Sequence, residues 1–253
     1  MSTEKFDPFV SEWISFSKNP NYNLIEKCLK MAKILEYPEL NISKYIEKIN
    51  EMGNSLKLKI GKVKNSTYTI SMLNEYFFDE LGFHGAEEDY YDPGNSFLNI
   101  VLDKKMGIPI TLSIIYAEVA KNIGLDLQIV GFPGHVIVKY KEEAILDPFY
   151  RGRLLTIEDL EEILDRNFGD GVEFVPEYLN EATTEQLLTR LLRNLKNAYT
   201  QSYAYDSAMK CTDMILGMRP ESPEEIRDKG ILEERLLRYD KALPLLNKYL
   251  ELE

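Results

Sequence analysis

The sequence predicts an α+β protein that is mainly helical, with one small antiparallel sheet followed by helical hairpins. Two observations indicate this class. Three short segments rich in β-branched residues lie at positions 127–146, between long helical stretches. From Thr184 onward, matching positions recur at a fixed spacing that is typical of stacked helical hairpins. We therefore expect two domains, 1–181 and 182–253.

Length and composition limit the kinds of function that the chain can have. Its 253 residues, 44% of them hydrophobic, are enough to form a packed core. The formal net charge of −12 argues against nucleic acid or an anionic membrane as a partner. The two cysteines are far apart and no apolar run approaches about 20 residues, so neither a disulfide framework nor a membrane span is predicted. We expect a soluble cytoplasmic protein.

Helical segments make up the region before the sheet. The segment 23–35 carries apolar side chains at helical spacing, and Asn41 is expected to cap a helix that continues to about Ile60. The segments 9–16 and 69–80 add two further predicted helices. Because these helices are too apolar to stand alone, we expect this lead-in to pack on the core of the first domain.

Two helices lie immediately before the predicted sheet. Asn95 or Ser96 is expected to cap the first helix, which ends at Gly107. Pro109 opens the second helix, predicted over 110–123. Its circumference is apolar except for a narrow polar stripe, so this helix should be buried.

Three predicted strands follow, over 127–130, 136–140 and 144–146. The Pro-Gly-His triplet that ends at His135 begins the middle strand, and Asp147 ends the third strand. These two ends of an antiparallel hairpin lie side by side. His135 and Asp147 are therefore predicted to be neighbours.

Four short motifs carry a resemblance to a known family. They are Asn-Ser-Phe-Leu-Asn at 95–99, Gly-Ile-Pro-Ile-Thr-Leu-Ser at 107–113, Phe-Pro-Gly-His at 132–135 and Asp-Pro-Phe at 147–149. In this order and spacing they resemble the SirB-type proteins, which have a transglutaminase-like (papain-related) domain followed by tetratricopeptide (TPR) repeats. The resemblance covers nearly the whole chain. It implies a transglutaminase-like first domain and a TPR-like second domain, and it brings no established reaction with it.

The second predicted domain matches the TPR pattern. Ala208 and Ala242 are one TPR period apart, at positions where a small side chain lets two helices cross closely. Because three repeats are usually needed for an independent solenoid, we expect these two to dock onto the rest of the chain. Four helices are predicted, near 184–200, 202–217, 222–235 and 238–251.

The resemblance implies a papain-like site, which needs a thiolate, an imidazole base and a group that orients the imidazole. His135 and Asp147 match the imidazole and the orienting group. A transglutaminase-like cysteine would stand near the start of the second central helix, but the only cysteines are Cys28 and Cys211. Both are expected to be ordinary buried or half-buried thiols, so we expect no thiol-dependent catalysis.

Two hydroxyl side chains remain as candidate nucleophiles. Thr111 and Ser113 are separated by about 200° around a helix, so both cannot face His135. Each also has a structural interpretation, Thr111 as a hydrogen-bonding residue of the first turn and Ser113 as a small packing residue. The alternative function is a hydrolase or acyltransferase that uses one of them with His135 and Asp147.

Other roles are open for the histidine–aspartate pair. One hydrogen bond between His135 and Asp147 could simply tie two strands together. His84 could join them in a metal site, but two ligands placed by pattern rarely suffice, so no metal is predicted. Asn95 and His84 could line the same cleft. Because no glycine-rich phosphate-binding loop is present, we predict no cofactor.

The function predicted from the sequence is protein or peptide binding by a degenerate, non-catalytic transglutaminase-like protein. The binding surfaces would be the TPR-like helices and the residual cleft. Neither nucleic acid nor a membrane is an expected partner, and the sequence does not indicate the oligomeric state.

Overall fold

The computed structural model describes residues 7–62, 65–169 and 171–252. Within these ranges the chain forms eleven α-helices and six β-strands. They group into two compact units, which we call the central unit (residues 41–187) and the repeat unit (residues 7–40 with 188–252). This division differs from the predicted one, in which the segment before Asn41 belongs with the central domain.

Three helices begin the described chain, and the third has its predicted cap, Asn41. They are α1 (Pro8–Ser17), α2 (Leu24–Leu35) and α3 (Ile42–Ile60). Asn23 caps α2 in a reciprocal capping box with Glu26, and the Asn41 side chain accepts the Lys44 N–H at the start of α3. These caps explain why the starts of both helices could be predicted.

The next helix differs from the prediction at both ends. It is α4 (Ser66–Asn74), which begins earlier than predicted because the Asn65 side chain accepts the Tyr68 N–H. From Glu75 to Glu80 the chain continues as a π-helical turn. Such turns have no sequence pattern of their own, so the prediction extended the α-helix through this segment.

The predicted cap of the next helix, Asn95 or Ser96, is wrong. Both residues lie in a 3₁₀ turn, Pro93–Ser96, and α5 (Leu98–Lys104) follows it without a side-chain cap. The Asn95 amide instead donates to the Asp89 carbonyl oxygen at 2.7 Å. A hydrogen bond to the preceding loop therefore competes with the capping preference of this residue.

Two further helices pack against the main sheet. They are α6 (Pro109–Asn122) and α7 (Ile157–Phe168). α6 is buried along most of its length, as predicted, and contacts the strands at 128–130 and 137–140. Buried side chains of α7 form a cluster with residues at 130 and 137 of the sheet and with Phe132, in the loop between these two strands. The cluster contains Val130, Phe132, Ile137, Leu160, Ile163 and Leu164.

The main sheet is an antiparallel meander of four strands. They are β3 (Gln128–Val130), β4 (Ile137–Tyr140), β5 (Ala144–Asp147) and β6 (Arg153–Leu154), in that spatial order. The first three were predicted. β6 was not, because two exposed residues carry no strand pattern. A separate parallel pair, β1 (His84–Gly85) with β2 (Met106–Gly107), was also not predicted, since each strand has only two residues.

Four helices form the C-terminal part of the described chain, close to their predicted bounds. They are α8 (Thr184–Gln201), α9 (Tyr205–Met218), α10 (Pro223–Arg235) and α11 (Tyr239–Leu252). Apart from the first turn of α8, they lie in the repeat unit. Ala208 and Ala242 are both buried, as the TPR pattern requires. No helix in the described ranges is both long and apolar enough to cross a membrane.

Packing of α1 on α9 explains why the N-terminal helices α1 and α2 belong to the repeat unit. The fully buried Trp13 indole N–H donates to the Met214 carbonyl oxygen at 3.1 Å. Gly217 lets α1 approach closely, because a Cβ there would lie about 3 Å from the Val10 and Ile14 side chains. The N-terminal helices thus extend the stack of repeat helices.

Candidate functional site

A tight turn before β4 places His135. Pro133 and Gly134 occupy its two central positions, and the His135 N–H donates to the Phe132 carbonyl oxygen at 3.1 Å. Gly134 has a φ of +74°, and a Cβ at this position would lie 2.5 Å from a side-chain atom of Asn167. Only glycine fits here without strain, so the Phe-Pro-Gly-His motif has a direct structural reason.

His135 and Asp147 are in contact, as predicted from the strand ends. The Nε2 atom of His135 lies 2.8 Å from Oδ2 of Asp147, which is buried. The other oxygen, Oδ1, accepts the backbone N–H groups of Phe149 at 2.9 Å and Tyr150 at 3.4 Å. The carboxylate is therefore held by the backbone on one side and orients the imidazole on the other.

The loop after Asp147 is hydrogen-bonded to helix α4, which is hydrogen-bonded in turn to helix α6. The Gly152 N–H donates to the Asp147 carbonyl oxygen at 2.7 Å, and the Asn74 amide donates to the Gly152 carbonyl oxygen at 3.1 Å. The Tyr116 hydroxyl donates to Oδ1 of Asn74 at 2.7 Å. Burial raises the pKa of Tyr116, so this hydroxyl keeps its proton and remains a donor.

The second ring nitrogen of His135 is available. Among the described residues, none forms a hydrogen bond with Nδ1, and the side chain is 13% exposed. The Tyr150 ring lies nearly parallel to the imidazole at 6.2 Å, and the Phe149 ring meets it edge-on at 6.0 Å. An oriented imidazole with one unbonded nitrogen can bind a ligand group or move a proton.

Ser113 contacts the backbone of the residue that follows His135. Its hydroxyl donates to the Val136 carbonyl oxygen at 3.3 Å, and the side chain is fully buried. In the described part of the chain, no hydrogen bond joins the Ser113 hydroxyl to the imidazole. Ser113 is thus buried, as expected of a small packing residue, and it also hydrogen-bonds the chain just before β4.

Thr111 points in a different direction from Ser113, as the helical geometry requires. Its Oγ1 accepts the Ile108 N–H at 3.1 Å and lies 2.9 Å from the Asn95 carbonyl oxygen, to which it donates. The side chain is fully buried. Thr111 thus behaves as the first-turn hydrogen-bonding residue of the structural interpretation, and it links α6 to the turn that contains Asn95.

Asn95 and His84, the two other candidate cleft residues, are placed differently from each other. Asn95 is buried and its amide holds the loop at 87–92 through Asp89. His84 is exposed, and its Nδ1 lies 3.0 Å from the Gly82 carbonyl oxygen. Within the described ranges, no group of three or more His, Cys, Asp or Glu side chains is arranged to hold a metal ion.

The two cysteines are buried thiols, as predicted. Cys28 and Cys211 are both fully buried and unpaired. Burial raises the pKa of each thiol well above its ordinary value, so neither is a thiolate near neutral pH. Their environment is that of inert core residues.

Sequence reasoning missed the aromatic surroundings of His135. Phe149 and Tyr150 directly follow the Asp-Pro pair, and Tyr90 reaches the Phe149 ring at 6.3 Å. Phe149 and Tyr150 could have been expected near His135, because they follow its partner Asp147 closely in the sequence. No local pattern connects Tyr90 with this site, because Tyr90 and Phe149 are far apart in the sequence.

Family models match both parts of the chain. The model described as Transglutaminase-like superfamily matches residues 43–193, which include every residue of the His135 site. The model described as Tetratricopeptide repeat matches residues 195–253. The first match covers more than half of the chain.

Curated relatives extend over most of the sequence. A UPF0162 protein of Xylella fastidiosa (strain 9a5c) is 34% identical over 223 residues, which cover 86% of this chain and 79% of that protein. A UPF0162 protein of Vibrio cholerae is 25% identical over 232 residues, with 90% and 85% covered. The human F-box only protein 21 is 24% identical over 200 residues, which cover 71% of this chain but only 31% of that protein. The chain thus belongs to the transglutaminase-like superfamily and, within it, to the SirB-type UPF0162 proteins that carry TPR repeats.

Proposed function

We propose that this protein binds a protein or peptide segment and does not catalyse acyl transfer. Its site would keep the imidazole and carboxylate of a transglutaminase-like centre and lack the nucleophile. One observation carries the proposal: the Thr111 and Ser113 hydroxyls are fully buried and donate to backbone carbonyl oxygens. A base activates a hydroxyl nucleophile through a hydrogen bond, whereas both of these hydroxyls are bonded to the backbone instead.

The environment of His135 supports binding over a purely structural pair. If His135 only held two strands together, its hydrogen bond to Asp147 would be sufficient. Here the second nitrogen of the imidazole is unbonded among the described residues, and the side chain is partly accessible. The neighbouring Tyr150 ring is also exposed. Exposed aromatic and polar groups side by side are typical of recognition surfaces.

The repeat unit supports the same function, since TPR repeats generally mediate contacts between proteins. A cavity of about 550 Å³ is lined by residues of α1, α9, α10 and α11 and by Asp7 and Pro220. Its wall combines apolar side chains such as Leu216 and Ile226 with the Lys229–Asp213 ion pair, whose atoms are 2.7 Å apart. Mixed walls of this kind suit a peptide side chain. The two free cysteines support a reducing, cytoplasmic location.

The test is an acyl-transfer assay on the purified chain. The protein is incubated with a fluorescent primary amine and a glutamine-containing peptide, and products are measured by mass spectrometry with and without iodoacetamide. We expect no product above the protein-free background. His135→Ala and the matched control His84→Ala, which changes the only other histidine, should give the same result.

Two outcomes would contradict the proposal. Product formation that is abolished by iodoacetamide and by Cys28→Ser or Cys211→Ser would indicate a thiol enzyme. Product formation that resists iodoacetamide but disappears in His135→Ala would support the hydroxyl alternative. Ser113→Ala and Thr111→Val would then identify the nucleophile, because the helix lets only one of the two face His135.

A further inference from the structure

An exposed aromatic surface borders His135. Tyr90, Tyr91 and Tyr150 are 37%, 58% and 44% exposed, whereas the Phe149 ring between Tyr90 and Tyr150 is buried. Ring centroids are 5.3 Å apart for Tyr90–Tyr91, 6.3 Å for Tyr90–Phe149 and 5.0 Å for Phe149–Tyr150. Large aromatic rings on a surface cost free energy in water unless a partner covers them.

The loop that carries two of these rings is held in place before any ligand arrives. Its backbone is fixed through the Asp89 carbonyl oxygen, which accepts from the Asn95 amide at 2.7 Å and from the Asp92 N–H at 3.0 Å. Immediately before the loop, Gly85 packs so closely on Phe149 that a Cβ there would lie 2.7 Å from the ring. A surface fixed in this way loses little conformational entropy on binding.

The same loop is strongly acidic. It carries four carboxylates, on Glu87, Glu88, Asp89 and Asp92, and all four are exposed. In the described part of the chain, the first three form no ion pair, and the Lys104 ammonium lies 4.0 Å from Asp92. Arg151 and Arg153, which follow Phe149 in sequence, are each paired with an aspartate outside the loop. The loop therefore keeps most of its negative charge.

We propose that the acidic aromatic surface, defined as Tyr90, Tyr91, Tyr150 and the loop carboxylates, binds a basic polypeptide segment. An arginine or lysine side chain lies on an exposed tyrosine ring, where the negative face of the ring attracts a cation. The loop carboxylates add attraction that salt screens. His135 Nδ1 offers one hydrogen bond beside this position, which suits a backbone group of the same segment.

This inference rests on the proposed binding function and names the chemistry of the partner. The negative charge of the loop distinguishes between the classes of ligand that could bind the acidic aromatic surface. An acidic peptide, a nucleic acid or an anionic lipid would meet like charge at the loop, which costs free energy. An uncharged apolar segment would cover the rings but leave the carboxylates without a partner. A basic segment satisfies both features at once.

The experiment measures binding of fluorescently labelled peptides to the full chain by fluorescence polarisation. The probes are four Gly-Ser-Arg repeats, the lysine version, and versions with glutamine or glutamate in place of arginine. We expect binding of the arginine and lysine peptides alone. Raising the salt from about 20 mM to about 200 mM should weaken it several-fold, because the Debye length falls about threefold.

Matched variants separate the loop from general charge. Glu87→Gln/Glu88→Gln/Asp89→Asn should weaken binding of the arginine peptide by about tenfold, because three attractive charges near the ligand are removed. Tyr91→Ala should also weaken it, through loss of a cation–π contact. The control removes the same charge from exposed positions of α7 in the same unit and should change affinity less than about twofold. It is Glu161→Gln/Glu162→Gln/Asp165→Asn.

A spectroscopic readout locates the ligand. The chain has two histidines, so an imidazole NMR spectrum contains two sets of signals, and His84→Gln assigns the signals of His135. Addition of the arginine peptide should shift the His135 signals and leave those of His84 in place. A peptide that binds without moving the His135 signals would place the ligand elsewhere and overturn the inference.

Several results would overturn the inference without touching the proposed function. These are equal binding of the glutamine peptide, no binding of any peptide, and an equal loss of affinity in the α7 control. Mass spectrometry of the same samples keeps the two tests apart. A cleaved or amine-modified peptide would contradict the non-catalytic proposal even if the charge preference held.

Discussion

Two buried carboxylates, one in each unit, show how differently the same group can be used. In the repeat unit, Glu225 is fully buried and accepts from Nε of Arg193 at 2.6 Å and from Nζ of Lys196 at 2.7 Å. Lys196 also reaches Asp228 at 2.5 Å. In the central unit, Asp147 is equally buried but is held by backbone N–H groups and by one imidazole.

The two carboxylates differ in whether a neighbouring polar group is left without a hydrogen-bond partner. Each carboxylate oxygen of Glu225 accepts from one cation, and these ion pairs tie α8 to α10, so the cluster is closed around this carboxylate. Around Asp147 the chain of contacts ends at a partly exposed imidazole whose second nitrogen has no described partner. A closed cluster indicates a structural role, whereas an open one leaves a group for a ligand.

The closed cluster should respond most strongly to mutation. Lys196→Met removes a buried cation and leaves Glu225 with Arg193 alone, so we expect the free energy of unfolding to fall by about 3–5 kcal/mol. Urea denaturation measures the change. Lys210→Met, on an exposed lysine of α9, is the matched control and should cost less than about 0.5 kcal/mol. A loss below about 1 kcal/mol for Lys196→Met would mean that the cluster contributes little.

Mutation of Asp147, in the open site, should lower the free energy of unfolding by less than mutation of Lys196 does. Asp147→Ala leaves the Phe149 N–H and the His135 ring without their acceptor, which should lower stability by about 2–3 kcal/mol. Asp147→Asn keeps an acceptor for the backbone and should cost about 1 kcal/mol. Both are measured by urea denaturation. If Asp147→Ala were as costly as Lys196→Met, the two carboxylates would have the same structural role.

Helix packing offers a test of the repeat unit that does not involve charge. Ala208 is fully buried in α9, so Ala208→Leu should overpack its surroundings and lower stability by about 1–3 kcal/mol. The urea midpoint should fall accordingly. Lys210→Leu, two positions along the same helix and exposed, is the control. An unchanged midpoint for Ala208→Leu would contradict the assignment of this position as a close helix crossing.

The smallest expected effect is a pH dependence at the edge of the closed cluster. Burial acts to raise the pKa of Asp228, but hydrogen bonds from Lys196 and Arg227 outweigh it, so the pKa is lowered overall. A lowered pKa adds stability above the unfolded-state pKa of about 3.9, and this is lost as the pH falls through the folded-state value. The urea concentration at the unfolding midpoint of the wild type should therefore fall when the pH is lowered below about 4.

The comparison variant for that effect is Asp228→Asn, which should show a smaller drop over the same pH range. Asp240→Asn, on an exposed residue of α11, should behave like the wild type. Identical acid profiles for the wild type and Asp228→Asn would remove Asp228 from the stabilising part of the cluster.

The helices and the main strands could be predicted because their signals are local. Asn23, Asn41 and Thr156 cap α2, α3 and α7, and each stands just before a helical pattern of apolar residues. The contact between His135 and Asp147 followed from the geometry of strand ends. Local signals also explain why the bounds of the C-terminal helices were close to those observed.

The remaining features depend on loop and tertiary contacts that leave little trace in the sequence. Asn95 looks like a helix cap, but its amide binds the loop at Asp89. The packing of α1 on α9 rests on Trp13 and Gly217, which lie far apart in sequence. The Ser113 hydroxyl points to the carbonyl oxygen of Val136, just before β4. These two residues come together only when the chain folds.

The most direct test of the central claim is covalent labelling with a fluorophosphonate, which reacts with hydroxyls that a neighbouring base activates. Intact-mass spectrometry, followed by peptide mapping, detects one adduct per chain. The buried, backbone-bonded hydroxyls of Thr111 and Ser113 predict an unmodified protein, identical for the wild type and His135→Ala. An adduct on Ser113 or Thr111 that disappears in His135→Ala would contradict the account, because it would show a working nucleophile and base in this site.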